Sequence, residues 1–319
     1  MPYPFLAQGD ANITATALVM GIFDEIRGKF IEKKYPEILW QTILPKDSVI
    51  TELNPGAANY IYRVHDIKGV GAFVRGNPKN INRVGQVIGQ VTVPILDAAV
   101  GAVVTNGEAR RHQFAFQTAL SEDLAAVMKR ATQYHVERVF FFGDYGSGFR
   151  SFLNYPTIPL ITPVTAWTGA DPSVWVDSIN SWLTAVWQNT KTVHLPDTVL
   201  LPLTKFAMLQ NAYVIGPGGG VGVAVSALEY IKKNNIYTAK TGKELNIREL
   251  RYLQGAGSGG VDRAIILQLQ ADNLIMPFPM PYQLAQPVPA ALSVELYAEY
   301  VFGSLNWLFP QSVGYADGL

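Results

Sequence analysis

The sequence predicts an α+β fold whose main parts are one long helix, one long hairpin and a late alternating strand. Three stretches carry that prediction. Residues 116–137 place apolar side chains at a spacing of three and four (Phe116, Leu120, Leu124, Val127 with Met128, Ala131, Tyr134 with His135), the mark of a helix with one buried stripe. Tyr60, Tyr62 and Val64 alternate with Ile61, Arg63 and His65, and a second β-rich run covers Val87 to Val93. Leu292, Val294, Leu296 and Ala298 alternate with mostly polar neighbours, which gives a further strand.

Composition bounds the rest. At 319 residues and 49% hydrophobic content the chain is long enough for two domains or one elaborated one, with a sizeable core. Only 16% of residues are charged, against about 25% in an average soluble domain. A surface that meets other protein explains the deficit, because interface cores are depleted in charge; a Gly- and Pro-rich enzyme with large internal burial explains it equally well. Basic and acidic residues balance at 25 each, so there is no bulk electrostatic drive toward nucleic acid or anionic membrane. The absence of cysteine excludes disulfides, thiolate metal sites and cysteine nucleophiles. Met1-Pro2-Tyr3-Pro4 lacks the basic start and apolar core of a signal peptide, and no run of about 18 apolar residues occurs, so a soluble chain without a membrane partner is expected.

In chain order, residues 1 to about 20 read as an extended arm, Phe23, Ile26 and Phe30 as a short helix, and Tyr35 to Thr51 as short strands. The two strands that follow form a hairpin over residues 54–95, with the second strand stopped at Pro94. Its tip, Arg75-Gly76-Asn77-Pro78-Lys79-Asn80-Ile81-Asn82-Arg83, is basic and rich in turn formers. Two strands alone are marginal in water, so a projecting hairpin needs a surface to lie on. The long helix, about 30 Å if it covers residues 117–137 at about 1.5 Å per residue, is a strut. Its polar face carries Glu122 and Asp123 ahead of Lys129 and Arg130, the order the helix dipole favours. It runs into a Gly-rich corner, Gly143 to Pro156.

Beyond the corner, Ile158 to Val164 is an extended apolar run. Asp171 is the expected N-cap of a helix with Pro172 at its first position, carrying Val174, Val176, Ile179, Leu183 and Val186 with Trp175, Trp182 and Trp187. A strand held between Pro196 and Pro202 leads into a helix from Leu203 to Gln210. Gly216 to Gly222 forms a turn before a helix from about Val223 to Lys233. Two β runs, Asn246 to Leu253 and Asp262 to Leu269, flank Gly255 to Gly260, and a Pro-rich stretch (Pro277 to Pro289) precedes the last strand and an aromatic tail ending at Phe309.

Candidate chemistry is sparse. Gly255-x-Gly257-x-x-Gly260 has dinucleotide-binding spacing, but the residues after it alternate like a strand (Ile265, Leu267, Leu269), and Asp272 comes too early for the ribose acid. Gly216 to Gly222 is followed by no Lys-Ser or Lys-Thr pair, which a phosphate loop requires. His65, His112, His135 and His194 are isolated and form no HExxH or HxH motif. Ser147 and Ser258 lie among glycines without the G-x-S-x-G elbow. The reading assigns no catalytic, cofactor-binding or metal-ligating residue. A nucleotide-binding oxidoreductase resting on Gly255 to Gly260 is the weakest alternative, testable by cofactor titration.

The order of these parts resembles the major capsid proteins of tailed bacteriophages, over roughly residues 55–300. The residues that carry the resemblance are Gly143-Asp144, Gly148, Phe152-Leu153-Asn154-Tyr155-Pro156, Trp175 with Ile179, and Thr198-Val199-Leu200-Leu201-Pro202. The chain departs from the family in two places. Phe149-Arg150-Ser151 intervene in a corner that often reads Gly-Leu-Leu-Asn, and Lys79 and Arg83 replace a more acidic hairpin stretch. The resemblance implies the phage major-capsid fold: an N-terminal arm (residues 1–53), an extended hairpin loop (54–95), a peripheral domain with a long spine helix (96–195 and 281–319), and an axial domain (196–280). It also implies self-assembly into pentamers and hexamers of an icosahedral shell around double-stranded DNA contacted non-specifically, with scaffolding, portal and decoration proteins as partners, in the virion and in host cytoplasm during assembly. An encapsulin-like compartment, which shares the fold and packages protein, is the alternative.

Overall fold

One strand of 21 residues, Gly85–Thr105, runs through both the hairpin and the body of the protein. The computed structural model describes residues 35–68, 85–116, 120–162, 166–167, 171–214 and 225–319. Ile38–Leu319 forms one compact unit. The expected helix through Phe23, Ile26 and Phe30, the hairpin tip and the Gly216 to Gly222 turn lie outside the described residues.

The first elements are α1 (Trp40–Ile43), β1 (Val49–Ile50), β2 (Asn59–Lys68), β3 (Gly85–Thr105), α2 (Asn106–Phe116), α3 (Leu120–Phe142) and α4 (Pro172–Asn189). There follow β4 (Thr198–Leu201), α5 (Leu203–Asn211), β5 (Tyr213–Val214), β6 (Val225–Ser226), α6 (Ala227–Lys233), α7 (Ile236–Thr241), β7 (Asn246–Glu249) and β8 (Arg263–Leu267). The last are β9 (Leu274–Pro277), β10 (Met280–Leu284), β11 (Val288–Ala290), β12 (Ser293–Gly303), β13 (Asn306–Trp307) and β14 (Val313–Asp317).

The fold is α+β, with several departures from the local reading. Of the strands expected between Tyr35 and Thr51 only the two-residue β1 forms; Trp40 and Ile43, three apart, bury one side of α1, and a 3-10 turn follows at Lys46–Ser48. Pro94 does not end its strand. The first ten residues of β3 pair with β2 and the next eleven with β12, and Pro94 falls where the partner changes. Its missing N–H is therefore not needed, while its carbonyl accepts from Ser304 N at 3.0 Å. The Pro-rich stretch conceals β10 and β11, and α7, β9 and β14 were not expected. The N-cap is as expected, with Ser173 N donating to Asp171 Oδ1 at 3.0 Å and Pro172 opening α4.

The sheet β10-β12-β3-β2 is antiparallel throughout, with α3 against it. The buried row of α3 is Met128, Thr132, Val136 and Phe140, with Leu124 half-buried at its start. Val127 and Ala131, assigned to the stripe by the sequence, are exposed. The buried row keeps a spacing of four, the ridge that runs obliquely to a helix axis, and so slips one position from the straight stripe. Val136 and Phe140 continue into a large core with Trp40, Phe152 and Trp307.

A second sheet, β14-β8-β4-β7, separates two cores. Leu200, Ile265, Leu267, Val313 and Tyr315 point into the first. Val199, Leu201, Ile247, Ala264, Ile266 and Ala316 point into the second, with α4, α5 and α6. The period-two alternation of a strand buried on both faces produces this division. Trp167 anchors the second core, stacked 5.7 Å from Trp182 at 2° between ring planes and 5.8 Å from Trp175.

Candidate functional site

The Gly143 to Pro156 corner is a packed plug. Gly143 has φ +71°, and a Cβ there would stand 2.8 Å from the Phe149 carbonyl oxygen, so only glycine fits. Asp144 and Phe149 exchange backbone hydrogen bonds of 3.1 and 2.8 Å, which sends Phe149, Phe152, Leu153 and Tyr155 inward to burial. Ser147 Oγ donates to Asp144 Oδ2 at 2.6 Å, and that bond is the main cause holding the Asp144 carboxyl below the usual range. Ser147 is thus a brace for the turn.

The Gly255 to Gly260 loop presents backbone N–H groups, as a phosphate cradle would, and spends two of them on carboxylates of its own chain. Gly255 N donates to Asp262 Oδ1 and Ser258 N to Asp317 Oδ2, both at 3.0 Å. Strand β8 follows where a dinucleotide site has a helix. Asp317 also pairs with Arg263, which is 5% exposed and donates as well to the Leu153 carbonyl and Asn154 Oδ1. Burial raises the Asp317 carboxyl, and the Arg263 and Ser258 hydrogen bonds outweigh it, leaving it below the usual range.

The histidines serve different neighbours. His65 is exposed on the hairpin with its Nδ1 2.8 Å from Gln86 Nε2. His135 Nδ1 lies 2.6 Å from the Tyr300 hydroxyl, joining α3 to β12. His194 Nδ1 is 2.8 Å from Gln268 Oε1. The side chain of His112 lies outside the described residues. Among the described residues no three His, Asp or Glu side chains group as metal ligands do.

Two polar nodes escaped the sequence reading. Glu137, 1% exposed on α3, accepts from Leu39 N at 2.9 Å, Arg251 Nη2 at 2.7 Å and the Tyr252 hydroxyl at 2.6 Å. Burial, then the Glu137 carboxylate, pushes the Tyr252 hydroxyl up to about 12. The one local signal for Glu137 was a carboxylate set among the apolar positions Val136, Val139 and Phe140. The second node is Asn306, 2% exposed. Its Oδ1 accepts from the Tyr155 hydroxyl at 2.9 Å and Arg150 Nη1 at 3.1 Å, and its Nδ2 donates to the Tyr62 hydroxyl at 2.6 Å. No local pattern connects residues 62, 150, 155 and 306.

Of the strut residues expected on the polar face, Lys129 is exposed and Arg130 half-buried, its guanidinium 5.6 Å from the Tyr134 ring centre. The side chains of Glu122 and Asp123 lie outside the described residues. Large apolar side chains stand open on the hairpin instead: Ile61, Val64, Val87 and Ile88 are 45–58% exposed.

Polar nodes that brace the body and apolar strands that project from it are the build of a structural protein made to assemble. The model of the family described as major capsid protein matches residues 69–319, and the chain belongs to that family. No curated protein matches the sequence. Solved structures share the fold. In the capsid of Myoviridae phage XM1 the similar chain has a TM-score of 0.76 at 11% identity, covering 94% of this chain and 98% of that one. The capsid of a native GTA particle gives 0.58 at 12%, covering 96% and 99%. Gordonia phage Cozz gives 0.55 at 16%, covering 99% and 98%. The protein is a major capsid protein with a phage capsid fold, a virion component whose family implies a structural role and self-assembly.

Proposed function

We propose that the chain assembles through pentamers and hexamers into an icosahedral shell enclosing double-stranded DNA. The observation that carries this reading is the hairpin. Its register puts Tyr60, Tyr62, Val64, Val87, Val91 and Val93 on one face, and Val64 and Val87 are 45% exposed there. A two-stranded ribbon is marginal alone, and apolar surface of this kind marks an interaction site. A second copy of the chain supplies the missing cover.

The proposed division is an arm (1–53), the hairpin loop (54–95), a peripheral domain (96–195 and 281–319) and an axial domain (196–280). The packing of α4 with β4, α5 and α6 supports starting axial packing earlier, at the Trp167 stack. The balance of 25 basic and 25 acidic residues suits a wall that contacts DNA loosely and non-specifically. Scaffolding, portal and decoration proteins complete the proposed partners, and assembly takes place in host cytoplasm. Among the described residues no helix is long and apolar enough to cross a membrane.

Electron microscopy and sedimentation of the purified protein test the proposal. Closed shells are expected, and a strictly monomeric species under every assembly condition overturns it. Shells whose native content is a protein cargo and no DNA point to a compartment of the encapsulin type.

A further inference from the structure

The hairpin has one side-chain hydrogen bond to the body among the described residues. It is the bond from Asn306 Nδ2 to the Tyr62 hydroxyl at 2.6 Å. The root of the hairpin lies three residues earlier, where Asn59 pairs with Pro94 and Ile95 N donates to the Ala58 carbonyl at 3.0 Å. Backbone pairing fixes β2 to β3 but does not tie the ribbon beyond the point where β3 changes partner. Val93, 2% exposed and paired with Tyr60, packs at the base, and Tyr62 is the first side chain beyond the root with a hydrogen bond to the body.

Asn306 is itself held. Gly303 sits so close to Pro277 and the Pro94 carbonyl that a Cβ there would meet them at 3.0 and 3.1 Å, which presses the end of β12 onto the root. Arg150 N donates to Ser304 Oγ at 2.9 Å, two residues before Asn306. Arg150 Nη1 and the Tyr155 hydroxyl both donate to Asn306 Oδ1, so the amide cannot flip without losing them. Tyr155 N in turn donates to the Tyr315 hydroxyl at 3.1 Å, and Tyr315 donates to the Phe152 carbonyl at 2.6 Å. The Gly-rich corner thus aims the one amide that reaches the hairpin.

We propose that Asn306 is a positioning residue that sets the angle at which the hairpin leaves the body, with Tyr62 as its contact and Arg150 and Tyr155 as its support. Leverage makes a small angle matter. The ten residues of β2 extend roughly 33 Å at about 3.3 Å per residue, so a rotation of about 10° at the root moves the far end by about 6 Å. That exceeds the tolerance of a packed interface, where interdigitated side chains feel a single methylene. Resting on the shell reading above, the consequence is that this latch decides where the hairpin of one copy lands on the next.

The chain has no cysteine, so two spin labels can be placed without background. Labels at Ile88→Cys on the hairpin and Lys129→Cys on α3, both exposed positions, report the hairpin angle by pulsed electron resonance in the unassembled full chain. A narrow distance distribution is expected. Tyr62→Phe, which removes only the hydroxyl, and Asn306→Leu, which keeps the branching of the side chain, are expected to broaden it by about 3–4 Å, because Ile88 pairs with His65 roughly 20 Å along the lever. Asn306→Asp is expected to keep it narrow, because the carboxylate accepts from the Tyr62 O–H and pairs with Arg150.

A merely structural role would lower the melting temperature without widening the distribution, and that result overturns the proposal. So does a broad distribution in the unaltered chain, or an unchanged width in Tyr62→Phe, which decides the matter alone if Asn306→Leu does not fold. The distance measurement needs no assembly, so a chain that forms no shells refutes the shell reading and leaves this result standing. With both readings correct, Tyr62→Phe yields misassembled or irregular particles and Asn306→Asp yields regular ones.

Discussion

Replacing Glu137 by alanine removes the carboxylate that joins Leu39 ahead of α1, the strut helix and the turn at Arg251–Leu253. Leu39 N and the Tyr252 hydroxyl, at 2.9 and 2.6 Å from it, lose their acceptor in a site where Glu137 is 1% exposed. Each buried donor left unsatisfied costs about 1–3 kcal/mol. Arg251 is 33% exposed on its side chain and can turn to water, so its lost pairing adds only about 0–1 kcal/mol. Leu39 and Tyr252 are themselves half-buried, so the low end of that range applies and the sum is about 3 kcal/mol, equivalent to a fall of about 1 M in the urea midpoint for a slope of roughly 3 kcal/mol per M. Equilibrium unfolding followed by tryptophan fluorescence measures it, with Trp40 of the same core among the reporters. The double variant with Tyr252→Phe should lose about 0.5–3 kcal/mol less than the sum of the single changes. A loss below about 0.5 kcal/mol, the level of an indifferent surface change, or strict additivity with Tyr252→Phe, would show that the node does not brace the fold.

Gly143→Ala forces a side chain into a φ of +71° and to within 2.8 Å of a carbonyl oxygen, and should destabilise by about 1–3 kcal/mol or more, read as a drop in melting temperature. The His135 ring is held below its ordinary value of 6.5 by burial first and by Arg138 second, so the native state favours the neutral form. The stability this contributes is present above about 6.5 and is lost as the pH falls through the lower native value. His135→Gln should therefore flatten the acid side of a plot of urea midpoint against pH; an unaltered slope contradicts the assignment. Val87→Lys, on the face proposed for contact and at a site 45% exposed, should leave thermal stability within about 0.5 kcal/mol while shells are lost in sedimentation. Unfolding of this variant, or normal assembly, would refute the role given to the hairpin surface.

Local periodicity made the strut helix, the hairpin, the Trp-rich helix and the strand after Pro196 legible, because each repeats its signal within a few turns or strand pairs. What stayed hidden depends on distant partners. Pro94 reads as a strand end unless Ser304 and the change from β2 to β12 are known. Val127 and Ala131 look interchangeable with Met128 and Thr132 until the sheet selects one ridge of the helix. The Gly255 to Gly260 loop carries a nucleotide-like spacing whose meaning turns on Asp317, 59 residues beyond Ser258. Tyr62 and Asn306 lie 244 residues apart, and nothing in either neighbourhood names the other.

The sheet β14-β8-β4-β7 acts as a shared wall. Ile265 and Ile266 are chain neighbours, yet each fills a different compartment, so a swelling or a void at one is felt on the opposite side from the other. Strand β14, residues 313–317, closes the edge of that wall beside β8. Neither compartment is sealed until those late residues have been synthesised, so a partly made chain has no finished body to offer a neighbour.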